Sequence, residues 1–325
     1  MTISRRKFLH LAAGGSALPV LSRTARAQAY PSRPVHIIVP YAAAGPNDIV
    51  ARIVSQWMSE HLGQPFVIEN RPGAGTNVGT ETVVHSPPDG YTVLVVSVSH
   101  AINATLYDKL NFSFIRDIAP VASIMRVPNV MLVNPAFPAH SVRDFIDYGR
   151  ANPGKLNFAS SGIGASNHMG GELFKALTGL DMTHVPYRSS GPALTDLISG
   201  QVQVMFDSLA SSVEHVRAGR LRPLGVTSAT KADALPEVPV IADTVPGYEV
   251  SNWFGFGMPR NTPADAILAF NKGVNEAIAD PKLKVRLAEL GGILMPGSPA
   301  DFGKLIAEET EKWGKVIRSA NIKPA

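Results

Sequence analysis

Along most of its length the chain alternates short β-branched runs with segments of helical period, and that alternation leaves few folds open. Val35-His36-Ile37-Ile38-Val39 ends at Pro40 and leads through a small-residue loop into a helical pattern from Asp48 to about Leu62. Phe66-Val67-Ile68-Glu69 predicts a second strand, followed by the loop Asn70–Gly75 and a helix to about His85. Turn chemistry at Pro88-Asp89-Gly90-Tyr91 introduces a third strand over Thr92–Val96. The rhythm returns with a strand at Leu156–Ala159 and a helix near Ser166–Leu177. Strands at Thr183–Tyr187, Val202–Phe206 and Pro223–Thr227 follow, with helical segments at Pro192–Ser199 and Ser211–Ala218 between them. Such alternation predicts mostly parallel sheets covered on both faces, an α/β fold.

The two blocks of this pattern, in a chain of 325 residues, predict two lobes. Arg126-Val127-Pro128-Asn129 interrupts an otherwise apolar strand pair, and Gly247–Ser251 precedes the apolar Trp253-Phe254-Gly255-Phe256. Two crossovers at these points would make each lobe discontinuous and leave a two-stranded hinge between them. The expected division is residues 28–127 with 252–298 in the first lobe, and 128–251 with 299–325 in the second. A last helical segment runs from Pro263 to Ala320.

Residues 1–27 read as an export address rather than as part of the fold. Ser4-Arg5-Arg6-Lys7-Phe8-Leu9 precedes a weakly apolar stretch to Leu21, and Ala25-Arg26-Ala27 supplies small residues for cleavage. The apolar stretch is well short of the about 20 residues that a membrane-spanning helix needs. Ser-Arg-Arg-x-Phe-Leu resembles the twin-arginine signal, the alternative being an ordinary secretory signal with two arginines. The expected mature chain is soluble, periplasmic and monomeric.

Charge and cysteine content exclude several functions. Lys and Arg number 30 against 26 acids, but five of the cations (Arg5, Arg6, Lys7, Arg23, Arg26) lie in the address segment. The remainder carries 25 against 26, a net of −1, so the basic balance gives no ground for a nucleic-acid partner. The absence of cysteine removes thiol nucleophiles, disulfides and cysteine-ligated metal sites.

In open α/β sheets, ligands bind beyond the carboxyl ends of strands, where loops run into helix starts. Two loops of this kind are small and polar: Tyr41-Ala42-Ala43-Ala44-Gly45-Pro46-Asn47-Asp48 and Ala159-Ser160-Ser161-Gly162-Ile163-Gly164-Ala165-Ser166-Asn167-His168. Small side chains admit a ligand to the backbone, and the first N–H groups of the next helix lack intrahelical partners. With the helix dipole added, each loop is a site for an anionic group, one per lobe.

Long segments of the chain resemble the extracytoplasmic receptors of tripartite tricarboxylate transporters, the Bug family. They include Tyr30-Pro31-Ser32-Arg33-Pro34, Glu69-Asn70-Arg71-Pro72-Gly73-Ala74-Gly75, Pro88–Thr92, His100-Ala101-Ile102-Asn103 and Asn157–Ser160. His184-Val185-Pro186-Tyr187, Pro192–Leu197, Gly200–Asp207 and Pro246–Glu249 continue the match. The resemblance implies a two-lobed periplasmic-binding fold of type II kind that closes on a small organic carboxylate and meets membrane transporter subunits transiently. It implies no cofactor, no metal and no catalysis. The ligand-binding set expected from it and from the two loops is Tyr41, Ala44, Gly45, Asn47, Asp48, Ser97, Ser161, Gly164, Ala165, Ser166, Asn167, His168 and Asp207. The first loop departs from the family pattern: Ala44 replaces a glycine, and Pro46 lacks a backbone donor that the Asn47 amide would replace.

Several residues have a second reading. Asp48 and Asp207 suit helix capping as well as a ligand. Arg188 suits a carboxylate clamp or a solvated loop, and Ile163, Tyr41 and Trp253 suit an apolar ligand body or plain packing. His168 and Glu172 share one helical face, but a metal needs a third ligand. Ser161, His168 and Asp207 would serve a secreted hydrolase or isomerase if they came within hydrogen-bond reach. A periplasmic sensor accessory is a further alternative.

Overall fold

The first apolar run forms the strand its β-branching predicts. In the computed structural model β1 is Val35–Val39, with all but one of its residues buried, and it leads to α1, Pro46–Leu62. Proline at the first helical turn suits a position whose N–H would be unpaired, and Gly63 in the left-handed region (φ 72°) ends the helix. The structure describes residues 30–107, 109–319 and 322–323, so the export segment 1–27 lies outside the described residues.

The following elements are β2 (Phe66–Asn70), α2 (Asn77–Val84), β3 (Thr92–Ser97), α3 (Val98–Leu106), the short α4 (Phe114–Asp117) and β4 (Ile118–Val133). The second block holds α5 (Val142–Ala151), β5 (Leu156–Ser160), α6 (Ser166–Thr178), β6 (Met182–Pro186), α7 (Ser190–Ile198), β7 (Val204–Ser208), α8 (Leu209–Arg217) and β8 (Arg222–Val226). The chain ends with β9 (Ser251–Pro259), α9 (Ala264–Ala279), α10 (Pro281–Glu289), β10 (Ile293–Leu294) and α11 (Pro299–Ser319). No helix among the described residues is long and apolar enough to cross a membrane.

The strands join in the order β2-β1-β3-β9-β4-β7-β5-β6. The expected parallel pairing holds on the flanks, where β1 pairs β2 and β3, and β5 pairs β6 and β7. The centre is antiparallel instead: β9 runs against β3 and β4, and β4 against β7 and β8. The cause is β4, a single strand of 16 residues rather than an interrupted pair. It pairs with β9 as far as Pro128 and with β7 from Asn129 onward, so it passes from one half to the other between those residues. The chain returns where Val250 N–H donates to Thr227 O (3.0 Å) and Ser251 then pairs with Pro128.

Successive residues of a strand point to opposite faces, and the core divides accordingly. Ile37, Phe254 and Phe256 join one buried cluster, whereas Ile38 and Trp253 join another on the opposite face. Helix α11, expected with the second lobe, packs on the first. Phe302 sets its ring edge against Trp253 at 5.6 Å, and Glu309 accepts from Trp313 Nε1 (3.0 Å) while facing Arg126 of β4 at 3.5 Å. The reason is its buried stripe of Phe302, Ile306, Trp313 and Ile317, which needs the apolar face that β9 and α3 offer.

Candidate functional site

Five strands, β1, β3, β5, β6 and β7, deliver the chain into helix starts, and hydrogen bonds and contacts bring those starts to one seam. On the first half, Asp48 braces the loop after β1. Its Oδ2 accepts from Ala44 N–H (3.1 Å) and Arg52 Nε (2.9 Å), and its Oδ1 from Asn70 Nδ2 (2.9 Å). Burial alone would raise this carboxyl, but the bonds from Arg52, Asn70 and Ala44 outweigh it and hold it below its ordinary value. Asp48 is therefore engaged within its own loop, where it holds Ala44 at φ 65°, a left-handed conformation that a Cβ disfavours.

Tyr41 is buried and shares a hydrogen bond with Ser99 at 2.7 Å, which ties the loop to the start of α3. Burial pushes its phenol up to about 12, so the hydroxyl is neutral. At that same helix start, Ser97 N–H donates to His100 Nδ1 (3.1 Å). Asn47 is buried and its Oδ1 has no protein partner. Gly45 begins α1 without a side-chain cap.

On the second half, Asn167 is the hub. Its Oδ1 accepts from Ser161 N–H (3.0 Å), Ser161 Oγ (3.1 Å) and its neighbour His168 N–H (3.1 Å). Its Nδ2 donates to Asp207 Oδ1 (3.3 Å), which also accepts from Ser190 Oγ (2.6 Å), while Oδ2 takes Ser211 Oγ (2.5 Å). Asp207 thus links the starts of α6, α7 and α8 in one network. Burial raises its carboxyl above the ordinary value despite the bonds from Ser190, Ser211 and Asn167. Ala165, like Gly45, begins its helix without a side-chain cap. Ser166 Oγ accepts from Asn129 Nδ2 (3.3 Å), so the crossing strand β4 reaches the same place.

His168 turns toward the interior of the second half. Its Nδ1 accepts from Gly164 N–H (3.2 Å), and its ring lies 4.2 Å from that of His184, which bonds Ser160 Oγ at 2.6 Å. Burial pushes His168 down to about 3 and His184 to about 4, so both rings are neutral near pH 7. Nε2 of His168 lies 4.0 Å from Glu172 Oε1. The Ser161 hydroxyl donates to Asn167 and is not joined to His168, so the three residues weighed for hydrolysis do not form a relay. Among the described residues, no group of three or more His, Cys, Asp or Glu is placed to hold a metal ion.

The halves touch at both loops. Ala42 N–H donates to Arg188 O (3.4 Å), and Ser189 Oγ to Ala43 O (3.4 Å). A Cβ built on Gly45 would meet the Ser189 Cβ at 3.4 Å and Ser190 N at 3.8 Å. At the other loop, Gly164 (φ 79°) lies against Asn103, and Gly75 against the carbonyl of Ile163. Both contacts require glycine, because a Cβ would enter the neighbouring atom.

Sequence reasoning missed Ser189, Ser190, Ser99 and Asn129. Arg188-Ser189-Ser190-Gly191 is a third small polar turn before a helix, and the Arg188 side chain, weighed as a carboxylate clamp, is exposed. Trp253, weighed against an apolar ligand body, is buried on Phe302 within the core.

With this geometry in view, the comparisons with known proteins are specific. A family model described as the tripartite tricarboxylate transporter family receptor matches residues 50–322. A relative from Pseudomonas sp. (strain P51), named the UPF0065 protein in the tcbD-tcbE intergenic region, is 38% identical over 320 residues, covering 97% of this chain and 94% of that one. The structure of Rpa4515 from R. palustris with adipate has a TM-score of 0.88 at 38% identity, covering 91% of this chain and 100% of that one. MatC (Rpa3494) from Rhodopseudomonas palustris, with bound malate, has a TM-score of 0.85 at 32% identity, covering 89% and 100%. On the family match over most of its length and this relative, the chain belongs to the tripartite tricarboxylate transporter receptor family.

Proposed function

We propose that the chain is a non-catalytic extracytoplasmic receptor that holds a carboxylate group of a small organic acid between residues 41–48 and 161–168. The observation that carries this reading is the pair of helix starts at Gly45 and Ala165, neither capped by its own side chain, on opposite sides of one closed seam. Orphan N–H groups at a helix start attract an anion. Each charge-assisted hydrogen bond to a carboxylate contributes about 1.5–3 kcal/mol. The unpaired Oδ1 atoms of buried Asn47 and Asn129 are acceptors, which waters bridging to the carboxylate would satisfy by donating to them. Structures of relatives with adipate and with malate, both dicarboxylates, support that substrate class.

Closure about the two crossings at 128–129 and 250–251 buries the acid and presents a composite surface to the transporter's membrane subunits. The address in residues 1–27 directs the chain to the periplasm, where the mature form acts as a soluble monomer. The test is calorimetry on the refolded mature chain, freed of any passenger, against a panel that includes adipate and malate. A Kd in the low micromolar range or below, about −8 kcal/mol, is expected. No heat and no melting shift across the whole panel would overturn the reading. Ser161→Ala is expected to lower affinity by a few-fold at most; turnover of a bound acid by the parent chain, lost in this variant, would favour the hydrolase.

A further inference from the structure

Among the described residues, three that are not glycine adopt a positive φ: Ala44 (65°), Ala74 (44°) and Thr76 (89°). Ala44 belongs to the first grip loop. The other two fall in one turn before α2, where Gly73, Ala74, Gly75 and Thr76 take φ of 141°, 44°, 61° and 89° in succession. L-residues visit the left-handed region singly and not in runs, and β-branched Thr76 is disfavoured there most. Such backbone persists only where its surroundings hold it, and it concentrates at clamps and switches.

Asn103, on α3, braces this turn from outside. Within the turn, Thr76 N–H donates to Gly73 O (3.1 Å) and Asn77 N–H to Ala74 O. Asn103 adds both of its amide N–H groups, Nδ2 donating to Gly75 O and to Thr76 Oγ1 (3.2 Å). With both donors engaged the amide is fixed in orientation, and its buried Oδ1 is left with no hydrogen bond. That oxygen stands where a Cβ on Gly164 of the second grip loop would go. The Gly164 Cα–H therefore points at Oδ1, a weak donor meeting an otherwise unpaired acceptor. Gly75 returns the contact. A Cβ there would lie 2.5 Å from Ile163 O, so its own Cα–H points at that carbonyl. Turn and loop thus clasp each other from both sides, and each glycine reaches the seam through a positive φ (61° and 79°).

We infer that Asn103 is a positioning residue for closure: it holds the turn 73–76 in its left-handed form, so that Gly75 and the Asn103 amide latch onto residues 163–164. The inference rests on the reading that the halves close on a bound acid, and it adds a latch that does not touch that acid. Contacts made only in the closed form shift the balance toward it. Escape of the guest requires reopening, so the latch slows dissociation and leaves entry into the open form unchanged. A role confined to stability would move neither the balance nor the rates.

The chain has no cysteine, so spin labels on cysteines introduced at exposed His85, at the end of α2, and exposed Leu177, on α6, report the separation of the halves. Electron–electron distance measurements on the mature chain, with and without adipate, are paired with stopped-flow adipate kinetics. Asn103→Ala and Gly75→Ala are each expected to lower the closed-to-open ratio at least threefold. Adipate is expected to dissociate about fivefold faster from both, with association within twofold of the parent. Gly75→Ala decides alone if Asn103→Ala does not fold. Asn271→Ala removes a buried amide on α9 that bonds Val121 O and Gly297 O. It is expected to lower the melting temperature and to leave the ratio and the rates unchanged. A distance distribution matching the parent's in either seam variant, or an equal shift in Asn271→Ala, would overturn the latch. Failure of adipate to bind counts against the carboxylate reading, and the ligand-free distances still decide the latch.

Discussion

Across the seam between the two halves, Gly45 and Ser189 face each other so closely that a Cβ on Gly45 would lie 3.4 Å from the Ser189 Cβ. That separation is ordinary van der Waals contact, so one methyl group fits and a longer side chain does not. Gly45→Ala is expected to bind the carboxylate within threefold of the parent chain. Gly45→Leu is expected to lose at least tenfold, about 1.4 kcal/mol. The backbone at Gly45 is extended (φ −87°), so neither change strains it, and the stability loss stays near 1 kcal/mol from poorer capping. Calorimetry beside a melting curve separates the two effects; equal affinity in Gly45→Leu would show that closure does not bring these residues together.

Gly164 meets Asn103 at the other end of the seam, and there even a methyl group has no room. Gly164→Ala is expected to cost about 1 kcal/mol in stability from the left-handed backbone, and more than tenfold in ligand affinity from the blocked contact. Adding Asn103→Ala removes the obstructing amide and is expected to restore part of the affinity but none of the stability. If the double variant binds no better than Gly164→Ala, the contact is not what limits closure.

Asp207 accepts from Ser190, Ser211 and Asn167, which belong to three helices. Asp207→Ala leaves those donors unpaired and is expected to destabilise the chain by about 2–4 kcal/mol in urea titrations. Asp207→Asn keeps the shape and is expected to cost less. The carboxyl is raised by burial, so the folded chain holds its proton more tightly than the unfolded chain. This group's contribution to stability therefore falls as pH rises from its ordinary value of 3.8 upward. Asp207→Asn abolishes that component; an unchanged stability profile from pH 4 to 7 would show that Asp207 does not titrate differently on folding.

His168 works in the opposite sense. Burial, with His184 and Lys175 nearby, lowers its ring to about 3, so the unfolded chain binds the proton first as pH falls below 6.5. Stability is therefore complete above 6.5 and declines toward pH 3, by up to about 1.4 kcal/mol per pH unit for this group. Glu172 opposes the effect weakly, its Oε1 lying 4.0 Å from Nε2. His168→Gln keeps an acceptor for Gly164 N–H and is expected to flatten the decline between pH 6.5 and 4. Denaturation at three pH values checks it, and an equally steep decline in the variant would contradict it.

The particular residues show how far the sequence carried and where it stopped. β-branched runs such as Val35–Val39 and small-residue loops before helices depend on neighbours in the chain, so the alternating fold, the small-residue turns that lead into α1 and α6 and the two crossings could be read from order alone. Tertiary structure decided what depends on partners remote in sequence. It turned the interrupted strand pair into one continuous β4, and it drew α11 onto the first half because Phe302 and Trp313 needed the apolar face of β9 and α3. It committed Asp48 to bracing its own loop, and His168 to the interior beside His184. It also brought Ser189 and Ser190 against Gly45. A hydrogen bond or a buried contact joins groups by distance in space, and distance in the chain places no limit on it beyond the closure of a loop.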